Sequence, residues 1–388
     1  MKTGTSSTDG LLRAGTVTEA PGGFPVHAEE LTTEWLTMVF RFSGVIRAAR
    51  VVSFRCEPMS THQGLTAQLV RVVLDFDRAE PGAPRSVVAK FSDNDSQIRT
   101  LIHSMGFYRR EVHFYRHLAA STPIATPRCH FADVDPEQGT SVIILEDLAP
   151  ARSCGWVTTF SPEDLAAAVT AIAEVHARWW QHEHLQDEQV LPLTGFLAVD
   201  QVTSVVDRAW SPFLSRLAVP ASRQLLQVGT LLREHLGRAH GHLYGTSPRT
   251  LVHNDFDGDN MFYATGRDVP SVTVIDWQLA TAGRGPIDLA WLIAGQCEPA
   301  TRRDIEQPLL RRYHSLLVDR GVTGYDVEQI WDDYRLALLL PAGRIASAVG
   351  LGHAPSATGG GFWDIVYPRY VQAIVDLDVH DLVEAISL

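Results

Sequence analysis

The segment 251–280, LVHNDFDGDNMFYATGRDVPSVTVIDWQLA, constrains the fold of this chain more than any other part. It carries the pattern H-x-D-x-x-x-x-N, in which Asp255 and Asn260 are the second and third fixed positions, and then Asp276 within I-D-W. Short apolar runs stand on both sides of the polar stretch, T-L-V before it and V-T-V-I after it. This alternation predicts a strand, a polar loop and a second strand, with an acidic residue following each strand.

The residue types in this loop suit phosphoryl transfer from a nucleotide, which needs a carboxylate to accept a hydroxyl proton and oxygen ligands for Mg²⁺. We therefore expect Asp255 to act as the base, and Asn260 and Asp276 to bind Mg²⁺. We expect His253 to orient the loop rather than to react. The alternative is an Asp-rich hairpin that binds Ca²⁺ or has no site. The second strand, with its acid at kinase-like spacing, favours the first interpretation.

These motifs make the chain resemble the aminoglycoside phosphotransferase and choline kinase superfamily, and within it the ecdysteroid-kinase-like branch. The motifs that carry the resemblance are L-E-D-L at 145–148, H-A-R-W-W at 176–180, V-H-N-D-F at 252–256, D-W-Q at 276–278 and G-P-I-D-L-A at 285–290. The resemblance implies an α+β, protein-kinase-like fold of two lobes. The N-terminal lobe is then a small antiparallel β-sheet with one helix, and the larger C-terminal lobe is mostly α-helical.

The pattern along the chain predicts three parts: a flexible N-terminus at 1–25, a nucleotide-binding lobe at 26–148, and at 149–388 a lobe with the catalytic loop and the acceptor pocket. Predicted strands are 49–56, 67–76, 86–91, 127–132 and 141–145, and predicted helices are 29–43, 108–119, 200–218, 222–240, 286–296, 301–319, 326–348 and 363–386. A further helix begins at Pro162, because Ser161 before it is a typical N-cap.

Lysine usage singles out one residue of the N-terminal lobe. Among 33 basic residues only Lys2 and Lys90 are lysines. Lysine is a compact point charge that suits a phosphate, so Lys90 is expected to bind one. In the kinase pattern this lysine pairs with a glutamate on the following helix. We expect Glu111 to be that partner, with Glu146 as the competing acid.

The rest of the nucleotide site is less distinctive. The resemblance implies that the backbone at Leu145, Glu146 and Leu148 contacts the adenine of the nucleotide. Gly64 and Thr66 lie in the turn that would cover the phosphates, although the chain contains no G-x-G-x-x-G. It also lacks G-x-x-x-x-G-K-[ST], which argues against a P-loop nucleotide hydrolase.

Three residues near the motif are candidate acceptor contacts: Asp257, Asp259 and Trp277. The two acids either attract a cationic acceptor, add metal ligands or only shape the turn, and the sequence leaves these interpretations open.

The formal charge of −12 argues against a nucleic-acid partner, which favours a basic surface. The sequence contains no apolar run of membrane-spanning length and no signal-peptide pattern. Its four cysteines are scattered without metal-binding spacing, which predicts reduced, buried thiols in a cytoplasmic protein. Nothing in the sequence predicts an oligomeric state.

Together these features predict a nucleotide-dependent enzyme that uses Mg²⁺ to phosphorylate a hydroxyl of a small molecule. The resemblance implies ATP as the donor, with GTP as an alternative, and an antibiotic or another hydroxylated metabolite as the acceptor. The main alternative is a non-catalytic nucleotide-binding protein that resembles a pseudokinase. A metal-dependent hydrolase lacks a second ligand cluster. A protein kinase would need a longer segment between Asp276 and Asp288 to bind a peptide.

Overall fold

The structure is a computed structural model that describes residues 23–59, 67–155, 160–186, 199–217, 220–264, 271–352 and 362–385. The chain divides into two compact units. The N-terminal unit is Met1–Thr122 with Thr126–Ala149, and the C-terminal unit is Pro123–Ala125 with Pro150–Leu388. No helix in the described ranges is long and apolar enough to cross a membrane.

The N-terminal unit is built on one five-stranded antiparallel sheet. Its strands are β1 Val51–Pro58, β2 Ala67–Phe76, β3 Ser86–Ser92, β4 Cys129–Val134 and β5 Ser141–Glu146, in the order β1-β2-β3-β5-β4. In the central strand β3, Val87, Ala89 and Phe91 are fully buried in the core. Because side chains alternate along a strand, Lys90 points to the opposite face of the sheet.

Three helices belong to this unit: α1 Thr33–Phe42, α2 Ser96–Ser104 and α3 Phe107–His113. The chain continues from α3 through a π-helical turn, Phe114–Leu118, so the predicted helix at 108–119 is present. The sequence did not predict α2, because the N-D-S-Q stretch at its start is typical of a loop. In the structure, the Asp95 carboxylate accepts hydrogen bonds from the first turn and begins the helix.

The C-terminal unit is mostly helical. Its helices are α4 Pro162–Arg178, α5 Val199–Ser215, α6 Arg223–Gly245, α7 Pro286–Leu289, α8 Pro299–Asp319, α9 Val327–Ala337, α10 Leu339–Gly350, α11 Phe362–Asp376 and α12 Val379–Ala385. Ser161 caps α4 as predicted, since its Oγ accepts from Asp164 N at 3.1 Å. The predicted helix at 326–348 is two helices. Pro341 has no N–H to continue the hydrogen-bond ladder, so it fits only in the first turn of α10.

Short strands of the C-terminal unit support the catalytic loop. They are β6 Arg152–Ser153, β7 Thr250–Val252, β8 Met261–Tyr263, β9 Val272–Val274 and β10 Thr281–Gly283. One small sheet has the order β6-β8-β9, and β7 pairs with β10. The two strands predicted around the loop are therefore present, but they belong to different sheets.

The prediction that the cysteines are buried is wrong for two of the four. Cys154 and Cys297 are buried, whereas Cys56 is exposed and Cys129 is half-buried, and all four are free thiols. Cys56 is exposed because it lies on β1, which is an edge strand of the five-stranded sheet.

Candidate active site

The catalytic loop brings Asn260 next to Asp276. The loop leaves β7 and ends in a tight helical turn, Gly258–Asn260, which leads directly into β8. Strand β8 pairs with β9, and beyond this pairing Ile275 N donates to Asn260 O at 3.0 Å. The backbone therefore holds the two predicted metal ligands side by side.

The Asn260 side chain connects this pair to Asp255. Its Nδ2 donates to the Asp255 carbonyl oxygen at 2.8 Å and lies 3.4 Å from Asp255 Oδ2. An amide has its donors and its acceptor on opposite atoms. With Nδ2 held at Asp255, the amide oxygen of Asn260 is the atom that could bind a cation.

Asp276 lies two residues beyond the end of β9 and has a left-handed backbone, with φ 63° and ψ 58°. An L-residue rarely adopts this conformation, and it occurs most often where a side chain must point in a required direction. Gln278 Nε2 donates to Asp276 Oδ2 at 3.2 Å.

Asn260 and Asp276 together offer too few ligands for a metal site built from protein side chains alone, but they suit Mg²⁺. Within the described ranges, no three His, Cys, Asp or Glu side chains converge to hold a metal ion. Mg²⁺ commonly takes one or two protein oxygens and completes its shell with phosphates and water. One carboxylate and one amide oxygen fit that requirement.

The pKa of the Asp255 carboxyl group is raised above its usual value, and its neighbours act on it in opposite directions. Burial raises the pKa of its carboxyl group, the Arg344 guanidinium lowers it, and the Asp276 carboxylate raises it further. Arg344 Nη1 lies 3.4 Å from Asp255 Oδ1. A cation bound between Asp276 and Asn260 would reverse the effect of Asp276 and favour the ionised base.

Asp257 and Asp259 occupy different environments. The Asp257 side chain caps the turn by accepting from Asp259 N at 3.1 Å, and the residue is only 5% exposed. Its burial, with Asp255 and Asp259 as neighbours, raises its pKa well above the usual range. This placement gives Asp257 a role in shaping the turn, whereas the half-buried Asp259 is more accessible to an acceptor.

Trp277 packs within the unit. Its side chain is fully buried, its Nε1 donates to Val274 O at 3.3 Å, and its ring meets that of His253 edge-on at 4.7 Å. This position argues against the acceptor contact that the sequence suggested. The tryptophan instead packs against His253 and so supports the loop.

His253 links the two halves of the motif. Its Nε2 lies 2.8 Å from Ile275 O, which fixes Nε2 as the protonated ring nitrogen, and its backbone N donates to Asp288. The residue is fully buried. These contacts give His253 an orienting position and leave it no access to a reacting hydroxyl.

The structure reveals how the loop is anchored. The buried Asp288 carboxylate accepts from His253 N at 2.8 Å and from Asn254 N at 2.7 Å. His176 Nε2 lies 3.1 Å from the same carboxylate, and Tyr313 OH lies 2.8 Å from His176 Nδ1. Nothing in the sequence pointed to His176 or Tyr313 as partners of Asp288.

Lys90 and Glu111 form a buried ion pair in the N-terminal unit. Lys90 Nζ lies 2.7 Å from Glu111 Oε2 and 2.9 Å from Oε1. The side chains are 11% and 2% exposed. Glu146, the competing acid, is exposed and accepts from Arg128 N at 3.1 Å. The structure therefore selects Glu111 as the partner of Lys90.

Two further predicted nucleotide contacts, Leu145 and Leu148, lie at the end of β5 and just beyond it. Leu145 is buried opposite Val88 of β3, and Leu148 is half-buried beyond the strand. Gly64 and Thr66 lie outside the described residues.

The fold is that of the protein-kinase-like phosphotransferases that act on small molecules, which confirms the predicted fold class. A protein assigned as an aminoglycoside phosphotransferase, from Ralstonia eutropha JMP134, has a TM-score of 0.52 at 15% identity, over 89% of this chain and 98% of its own. Choline kinase from Cryptosporidium parvum Iowa II has a TM-score of 0.52 at 11% identity, over 90% and 98%. A mutant aminoglycoside 2′-phosphotransferase IIIa in complex with GDP has a TM-score of 0.50 at 12% identity, over 90% and 97%.

At these identities the similarity establishes the fold alone. The sequence itself gives the family, because the model of the ecdysteroid kinase-like family matches residues 62–321, more than half of the chain. The protein belongs to the ecdysteroid kinase-like family, as the resemblance of its motifs predicted. A comparison with curated proteins finds no significant match.

Proposed function

We propose that the protein is an ATP-dependent O-phosphotransferase that transfers the γ-phosphoryl group to a hydroxyl of a small molecule. The observation that carries this proposal is the arrangement of Asp255, Asn260 and Asp276. Asn260 Nδ2 donates to the backbone carbonyl of Asp255, and the backbone of Asn260 accepts from Ile275, the residue before Asp276. A base beside two hard oxygen ligands is what transfer to a hydroxyl requires.

Each residue has a role in this scheme. Asp255 orients the acceptor hydroxyl and accepts its proton. Asn260 and Asp276 hold Mg²⁺, which supplies charge neutralisation at the phosphates. Lys90, fixed by Glu111, binds the phosphates of the nucleotide. Catalysis then consists mainly of positioning and electrostatic stabilisation.

The acceptor in this proposal is an antibiotic or another hydroxylated metabolite, as the aminoglycoside and choline kinases with this fold suggest. GTP is an alternative donor, since one of these structures is a GDP complex. The four free cysteines fit a reducing compartment, so we place the enzyme in the cytoplasm.

The test is a mass-spectrometric screen with Mg²⁺-ATP, and in parallel Mg²⁺-GTP, against hydroxylated antibiotics, amino alcohols, sugars, nucleosides and steroids. We expect one acceptor to gain a phosphoryl group with the parent protein and with the exposed-acid control Asp319→Asn. Asp255→Ala and Asp276→Ala should abolish the product. Unchanged turnover in Asp276→Ala would remove this residue from the metal site.

Nucleotide binding is measured on the same samples, for example by calorimetry with Mg²⁺-ATP. A protein that binds the nucleotide but phosphorylates no acceptor in the panel would contradict the proposal and support the non-catalytic alternative.

A further inference from the structure

Arg344 of α10 donates hydrogen bonds to the loop that contains the candidate base. Its Nη1 donates to Asn254 O at 2.7 Å, and its Nη2 donates to Asn254 Oδ1 at 2.9 Å. Nη1 also lies 3.4 Å from Asp255 Oδ1. One planar guanidinium therefore contacts both the backbone and the side chain of the residue that precedes the candidate base.

Asn254 is a turning point of the loop. It has a left-handed backbone with φ 67°, which an L-residue adopts only when its surroundings hold it there. Tyr244 OH donates to its Oδ1 at 2.6 Å, and its own N donates to Asp288 Oδ1 at 2.7 Å. Arg344 completes this set of contacts at the carbonyl oxygen, which neither Tyr244 nor Asp288 reaches.

The guanidinium is itself fixed in place. It lies over the ring of Trp291, 4.8 Å from the centroid, which leaves its edge free to point at the loop. Gly343, the residue before Arg344, packs closely against α6. A Cβ atom at Gly343 would lie 2.4 Å from Leu236 Cδ2, so a larger residue there would require the Leu236 side chain to move.

We propose that Arg344 is a positioning residue, which sets the direction of the Asp255 carboxylate by clamping Asn254 and holding Oδ1. The other carboxylate oxygen, Oδ2, then faces the Asn260 side chain, whose Nδ2 lies 3.4 Å away. The inference rests on the proposed function, because the direction of Asp255 matters only if it receives the acceptor hydroxyl. Lysine cannot replace this arginine fully, since one ammonium lacks the two-pronged geometry that reaches both oxygens of Asn254.

The experiment compares Arg344→Met, Arg344→Lys and Arg344→Ala with the parent protein, using an acceptor found in the screen. Arg311→Met, at an exposed arginine of α8, is the matched control. We measure kcat, the KM for ATP and the melting temperature. Hydrogen exchange of peptides that cover 250–264 is followed in each variant without any acceptor.

We expect kcat of Arg344→Met to fall by about 100-fold, which is the usual cost of misplacing a reacting group by about 1 Å. The KM for ATP and the melting temperature should stay close to those of the control. Millimolar methylguanidine should restore part of the kcat of Arg344→Ala, and Arg344→Lys should lie between the parent and Arg344→Met. Exchange should become faster in the loop peptides and stay unchanged in those of α8.

Two results would overturn the proposal: kcat within threefold of the parent, or a loss that parallels a fall in melting temperature and is not rescued by methylguanidine. If the parent phosphorylates nothing, the proposed function fails separately. In that case the exchange measurement decides whether Arg344 clamps the loop. Unchanged exchange in the loop peptides would refute the clamp, and faster exchange confined to them would support it.

Discussion

Asp288→Asn tests whether a single buried carboxylate holds the catalytic loop in its active shape. Asparagine has the same size, but one of the two carboxylate oxygens becomes an NH₂ group. That group faces either His253 N or Asn254 N, which donate at 2.8 and 2.7 Å. One backbone donor therefore loses its acceptor in a fully buried site, where water cannot replace it.

A hydrogen bond to a charged group contributes about 1.5–3 kcal/mol, and an unsatisfied buried donor adds to this loss. We expect the free energy of unfolding to fall by about 2–4 kcal/mol. Urea unfolding monitored by tryptophan fluorescence gives this value, and the exposed Asp319→Asn is the control, with an expected change within about 0.5 kcal/mol. Activity should fall further than stability, because His253 and Asn254 stand directly before Asp255. A change as small as that of Asp319→Asn, with normal turnover, would refute this anchoring role.

Three further predictions follow from buried or exposed groups. Burial, with a smaller contribution from Arg128, lowers the pKa of His130 from 6.5 to about 4. The unfolded chain therefore binds a proton that the folded chain excludes, and stability falls as the pH drops from about 6.5 towards 4. At pH 4.5 this loss is on the order of 2–3 kcal/mol, so His130→Leu should flatten the pH dependence of urea midpoints between pH 7 and 4.5. Iodoacetamide at pH 7.5 should alkylate the exposed Cys56 before Cys129, whose pKa burial raises to about 12, and peptide mapping that finds Cys129 modified first would contradict this order. Lys90→Met and Glu111→Gln should both weaken binding of Mg²⁺-ATP in calorimetry at a temperature where each variant is folded, and unchanged affinity in both would remove the ion pair from the nucleotide site.

Several elements could be predicted because their causes lie in neighbouring residues. Strand β2 has the bounds expected from its apolar run, and Ser161 and Pro162 begin α4 as their types indicate. The order of residues from His253 to Asn260 is also local. A short loop of fixed length between two strands leaves these side chains few arrangements.

Other features depend on residues that are distant along the chain. The break between α9 and α10, the burial of Trp277 and the exposure of Cys56 follow from what each segment packs against. Apolar residues continue at helical spacing across Leu338, so the pattern predicted one helix, whereas packing and Pro341 produce two.

The sequence by itself determined the family, the fold class and the residue types of the predicted catalytic loop, because a motif places its functional groups within one short stretch of chain. Only the tertiary structure decided what holds that motif in position. Asp288 and Arg344 reach the loop from α7 and α10, which are distant from it along the chain. No local pattern encodes such a contact, since it depends on the packing of whole helices rather than on the residues beside it.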